Sequence, residues 1–173
     1  SISFSRPICG GGLYINGYNT EAYPDIRNCI FIHNTAYEFG GGVMVYGFGS
    51  GSVAPRFINC RFEENHSTRI GGGMARLGGS WVERGDDMKN CVFLRNRAGT
   101  RGGGFYYGDS ERSDHLAIHG CTFEENVAEA VGGGIYMKIG REIPADISII
   151  GTSFERNIAE DGTAIDIIHN NLL

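Results

Sequence analysis

Apolar and polar residues alternate along this chain over short stretches, and each stretch is cut off by glycine or asparagine. No segment holds apolar residues at helical spacing for three turns, so the pattern predicts short β-strands. After each glycine cluster the apolar positions are Leu13, Val43, Met74, Phe105, Ile135 and Ile165. Two residues later stand Ile15, Val45, Arg76, Tyr107, Met137 and Ile167, a column that only Arg76 interrupts. A third apolar column holds Ile26, Phe57, Met88, Ile118 and Ile149. An unpaired charge in a buried column is costly, so Arg76 needs a partner, and Glu38 on the preceding repeat is the candidate.

These columns exist because the chain repeats. Phe-x-x-Asn occurs at Phe31–Asn34, Phe62–Asn65, Phe93–Asn96, Phe123–Asn126 and Phe154–Asn157, spaced 31, 31, 30 and 31 residues apart. Glycine triplets begin at Gly10, Gly40, Gly71, Gly102 and Gly132, and Gly162-Thr163-Ala164 takes the corresponding place in the last copy. A β-repeat of this length, with matching residues at matching positions, predicts an all-β parallel β-helix of about 30–31 residues per coil and five to six coils. Residues 1–173 then form one solenoid segment, with a divergent first coil over 1–25 and five repeats over 26–173, the last incomplete.

Stacking the coils aligns like with like. Phe31, Phe62, Phe93, Phe123 and Phe154 fill the interior. Asn34, Asn65, Asn96, Asn126 and Asn157 form an amide ladder at a bend. Cys29, Cys60, Cys91 and Cys121, followed by Thr152, occupy one rung as small buried hydrophobes. In-register neighbours hold their side chains parallel, which disfavours disulfides, and no Cys-x-x-Cys or His pairing suggests a metal. Cys9 stands outside the series. Glycine is expected where the chain turns with positive φ or where backbones crowd.

Composition narrows the partners. With 28 glycines, mostly at repeat positions, and a formal charge of −5, the chain is neither a glycine-rich linker nor suited to nucleic acid or an anionic membrane. No apolar run approaches the ~20 residues of a membrane helix. The segments between strands, Gly17 to Asp25, Gly47 to Pro55, Gly78 to Asp87, Gly108 to Asp114 and Ile139 to Asp146, differ in length and sequence. They read as surface loops on one side, where any specific function is expected.

Phe-x-x-Asn paired with Gly-Gly-[Ala/Gly]-[Leu/Ile/Val], as in Gly132-Gly133-Gly134-Ile135, resembles the repeat of the chlamydial polymorphic outer membrane proteins. It is similar, more broadly, to right-handed β-helix proteins of bacterial surfaces. The resemblance implies a right-handed, single-stranded helix and an extracellular or cell-surface passenger domain with an adhesive, non-catalytic role. No membrane-anchoring barrel follows in this sequence.

Enzymes also use parallel β-helices, so candidate sites need weighing. A carbohydrate-active or glycan-binding domain built on the loop side is the alternative function. Polysaccharide hydrolases of this fold need paired acids on neighbouring coils, and Asp86-Asp87 with His119-Gly120 gives only a fragment of such a set. No catalytic residue and no cofactor is assigned. Asp86, Asp87, Asp109 and Glu111, with Asp114, form a loop-side acidic cluster that is a weak candidate for Ca²⁺, but solvated loop charge explains it better. Arg84-Gly85-Asp86 and Trp81 share the longest loop, and chance explains the tripeptide best. Strand alternation turns Tyr14, Tyr106 and Tyr136 outward, a candidate glycan-stacking or fibre-packing face. Asn65-His66-Ser67 is an N-glycosylation sequon, but a ladder asparagine is turned inward. A glycine triplet near the start and a strand near the end leave both ends without polar caps, so partners are expected to be end-to-end copies or parent-chain neighbours, beside glycans or a host-surface protein.

Overall fold

The structure, a computed structural model, describes residues 9–47, 52–78, 87–108, 115–139 and 146–169. Among them every regular element is a β-strand and every ladder is parallel. Parallel neighbours need a long crossover; here the crossover is the rest of the coil. The strands after the glycines, Leu13–Asn16, Val43–Gly47, Met74–Gly78, Phe105–Gly108, Ile135–Ile139 and Ile165–His169, form one six-stranded sheet. Its register pairs Leu13 with Val43, Val43 with Met74, Met74 with Phe105, Phe105 with Ile135 and Ile135 with Ile165. A second sheet carries the repeat phenylalanines, and a third the column Ile26, Phe57, Met88, Ile118 and Ile149. The chain is a parallel β-solenoid.

The interior is built from the expected columns. Phe31, Phe62, Phe93, Phe123 and Phe154 stack at centroid separations of 5.1, 4.4, 4.5 and 5.2 Å, within 16° of parallel. The three central rings are fully buried. They share one core with Val43, Met74, Phe105, Ile135, Phe57, Met88 and Ile118. Each buried aromatic or aliphatic side chain stabilises such a core by about 1.5–3 kcal/mol.

Three left-handed positions recur from coil to coil and turn the chain. One column is the first glycine of each triplet, with φ of 58, 61, 64, 65, 66 and 57° at Gly10, Gly40, Gly71, Gly102, Gly132 and Gly162. The second is Asn28, Asn59, Asn90, Gly120 and Gly151, types that accept this conformation. The third is His33, Glu64, Arg95, Glu125 and Arg156, which do not favour it. There the asparagine that follows holds the bend. The middle glycine answers crowding instead: a Cβ on Gly103 would lie 2.5 Å from the Gly133 carbonyl oxygen and 2.6 Å from that of Val127. Thr163 fills the same position where no further described coil is stacked against it.

Candidate functional surface

The repeat asparagines saturate one another. Asn34, Asn65, Asn96 and Asn126 each donate both the backbone N–H and Nδ2 to the Oδ1 of the asparagine one coil later, at 2.9–3.0 Å. The Nδ2 groups of Asn65, Asn96, Asn126 and Asn157 also donate to a phenylalanine carbonyl one coil earlier, at 2.9 Å. Asn65 is 1% exposed, so its amide is sealed from glycosylation. Sequence reading missed a second ladder at the outer corner, where Asn59 Nδ2 donates to Asn28 Oδ1 at 3.2 Å and Asn90 Nδ2 to Asn59 Oδ1 at 3.4 Å. The Asn/Gly column before each cysteine was its only signal.

The cysteines are thiols stacked in register, not disulfides, among the described residues. The Cys91 backbone N–H donates to Cys121 Sγ at 3.4 Å, and the Cys121 N–H to Thr152 Oγ1 at 3.3 Å, so threonine continues the column with the same bond. The hydrogen bond with Cys121 comes first among the causes that push the Cys91 thiol up to about 12. The Cys91 thiol, then burial, pushes Cys60 up as well.

Charge also follows the axis. His33 Nδ1 lies 3.2 Å from Glu64, Arg95 Nε donates to Glu64 at 2.9 Å, and Arg156 Nε donates to Glu125 at 3.0 Å. Arg56 holds Asp25 on the coil before it through two bonds of 2.8 and 2.6 Å. Arg56 first, then Arg27, keeps the Asp25 carboxyl well below the usual carboxylate range. Arg61 does the same, more weakly, for Glu63.

Two expectations need correction. Glu38 does not serve Arg76; it lies 3.7 Å from Arg69 at another corner. Arg76 points inward, and its Nη1 donates to Asp87 Oδ1 at 3.3 Å, its Nη2 to the Val53 carbonyl at 3.4 Å, with the guanidinium 5.4 Å from the Tyr107 ring centre. Asp87 Oδ2 accepts from the Ala117 N–H at 2.8 Å and stands 4.0 Å from His115 Nε2, a buried atom without a hydrogen-bond partner. His115 Nδ1 in turn lies 3.2 Å from Asp146. Asp87 is 7% exposed, so it is a buried counter-ion and not a loop-side calcium ligand or an accessible acid. The rest of that cluster, Asp86, Asp109, Glu111 and Asp114, lies outside the described residues, as do Trp81 and Arg84-Gly85-Asp86. Among the described residues no three His, Cys, Asp or Glu side chains converge on a metal position.

The tyrosine face is the second correction. Tyr106 and Tyr136 do stack, at 5.2 Å, but each is only 2% exposed. They pack with Met44, Ile70, Ala75 and Leu77 in a second apolar cluster on the outer side of the glycine-bounded sheet. Arg101 lies over the Tyr136 ring at 5.4 Å. The corner residues just before each triplet, Phe39, Ile70 and Val131, fold back over that row because the left-handed glycine reverses the chain there. Tyr14 alone of the three is exposed.

Comparison with known proteins accords with this geometry. Residues 120–138 match the model of the Chlamydia polymorphic membrane protein repeat. The matched segment runs from the left-handed corner Gly120 through Phe123, Asn126 and the triplet to Lys138. The chain thus carries polymorphic-membrane-protein-like repeats on a parallel β-solenoid. No curated protein and no solved structure matches it.

Proposed function

We propose that this chain is a non-enzymatic, rigid β-helical segment of an exported surface protein, with a structural and adhesive role. The observation that carries the reading is the repeat match over residues 120–138, set in a solenoid that repeats the same columns coil after coil. That family is named for its membrane proteins, which supports a place at the cell surface. The inner ladders consume their polar groups in axial bonds, so they support a rod whose outer face is left for contact. Among the described residues, the outer strands Leu13–Asn16 and Ile165–His169 each pair on one side only, which suits continuation of the ladders by neighbouring coils, from the parent chain or another copy.

The test is surface display. Intact producing cells are labelled with an antibody raised against residues 1–173 and then shaved with protease. Labelling of whole cells that is lost on shaving is the expected result. Labelling only after the cells are broken open would overturn the proposal.

A further inference from the structure

Five of the eight tyrosines fall early in the chain, at positions 14, 18, 23, 37 and 46. Three of these meet outside the core. The strand Leu13–Asn16 alternates, with Ile15 buried and Tyr14 and Asn16 exposed. Asn16 is in register with Tyr46 on the next coil. A tight turn follows, closed by the Thr20 N–H donating to the Gly17 carbonyl at 3.2 Å, and it carries Tyr18. The Tyr18 ring stacks on Tyr46, with centroids 6.5 Å apart and planes inclined by 27°. Tyr14 is in register with Met44, two residues before Tyr46 on the neighbouring strand, so Tyr14 lies diagonal to Tyr46 on the same outer side of the sheet.

Tyr46 is half-buried against the second apolar cluster, but the solenoid does not need Tyr14 and Tyr18 where they stand. Tyr14 and Tyr18 are 47% and 53% exposed, whereas Tyr106 and Tyr136 in the covered row are 2% exposed. Any polar residue would serve on a solvent-facing turn, and a contiguous set of exposed rings is a feature that single exposed apolar residues are not. Asn16 Oδ1 accepts from the Tyr18 N–H at 2.9 Å, which fixes the amide beside the rings and leaves its NH₂ as a donor there.

Size and charge choose the occupant. A tyrosine presents about 150–250 Å², so two half-exposed rings and the edge of a third offer roughly 200–300 Å². A protein partner needs about 800 Å² per side; one or two sugar rings need far less. The formal charge of −5, with Glu21 exposed close by, disfavours nucleic acid and polyanionic glycans. Flat phenol rings with hydroxyl tips and an amide donor suit the C–H face and hydroxyl rim of a pyranose.

We propose that Tyr14, Tyr18 and Tyr46, with Asn16, form a stacking site for a neutral, equatorially linked oligosaccharide. This deepens the adhesive reading and rests on it for the biological setting, while binding itself is measured on the purified chain. The full chain, with its tyrosine rings isotopically labelled, is titrated with cellohexaose, chitohexaose and a heparin hexasaccharide and followed by NMR. A neutral hexasaccharide is expected to shift the signals of Tyr14, Tyr18 and Tyr46 and to leave those of Tyr106 and Tyr136 in place. Tyr18→Ala should weaken binding about tenfold or more, equivalent to ~1.4 kcal/mol. Tyr14→Ala, a second exposed position, should also weaken it, and both variants should keep the wild-type circular dichroism. No shift with either neutral sugar at millimolar concentration, binding to heparin alone, or binding unaltered in both variants would overturn the site. Any of these results would leave the surface-labelling outcome untouched, so the two proposals fail separately.

Discussion

Replacing Asn96 with alanine tests whether the inner amide ladder holds the coils together. The Asn96 side chain is fully buried and makes four hydrogen bonds. Its Oδ1 accepts from the backbone N–H and Nδ2 of Asn65, both at 3.0 Å, and its Nδ2 donates to the Phe62 carbonyl and to Asn126 Oδ1, both at 2.9 Å. Truncation removes the acceptor of the buried Asn65 N–H, a loss of ~1–3 kcal/mol, and three further bonds of about 0.5–1.5 kcal/mol each. Asn65 Nδ2 keeps its bond to the Phe31 carbonyl and Asn126 Oδ1 keeps the Asn96 N–H, so the total falls below the plain sum. A destabilisation of about 3–5 kcal/mol is expected. The control is Asn59→Gly. It deletes an exposed ladder amide and keeps the left-handed φ of 53°, as Gly120 and Gly151 do in the same column; a change within about 1 kcal/mol is expected. Urea denaturation followed by circular dichroism, with midpoints compared at a common slope, measures both. An Asn96→Ala penalty under about 1 kcal/mol, or equal penalties for the two variants, would refute the reasoning.

Three other outcomes follow from the same structure. Arg76→Met or Asp87→Leu alone should destabilise by roughly 3–5 kcal/mol, because each breaks a buried ion pair, and the double variant should recover part of the loss in the same urea assay, the buried Ala117 N–H having lost its acceptor. At pH 8 a thiol reagent should modify only Cys9 and Cys29 in the native chain, and all five cysteines once denaturant is added; rapid reaction of Cys91, whose thiol is pushed up to about 12, would contradict its sealed position. Neighbouring arginines lower the folded-state pKa of Asp25 and of Glu63, so their contribution is present above the ordinary carboxylate range and is lost as pH falls through it, near 4 and below. Thermal scans should therefore show a flat Tm from pH 7 to 5 and a fall below about 4, shallower in Glu63→Gln.

The repeat columns were legible because a solenoid makes each residue's neighbour its own counterpart one period away. Phe93, Asn96 and Met74 could be placed from spacing alone. The partner of Arg76 could not. Nearness in the preceding repeat points to Glu38, but Arg76, the middle residue of Met74–Gly78, reaches inward to Asp87, which directly precedes the strand Met88–Lys89. Tyr106 and Tyr136 were misread for a related reason: alternation gives the side of the sheet correctly but says nothing about what folds over that side. The left-handed glycines before each strand bring Ile70 and Val131 across it. The His33, Glu64, Arg95, Glu125 and Arg156 bend was invisible locally, since those residues oppose a positive φ and the following asparagine imposes it.

Because every coil meets only the one before and the one after, chain length is free to drift in whole turns. Excision of residues 62–92 would set Arg61 directly before Phe93, remove Arg76 together with Asp87, and rejoin each column to its own kind. Slippage or unequal recombination within such a gene would then shorten or lengthen the solenoid as a ruler is cut, with the architecture kept. A slip of another size within a strand or a ladder corner would break the columns, whereas the segments between strands, which already differ in length, can absorb one.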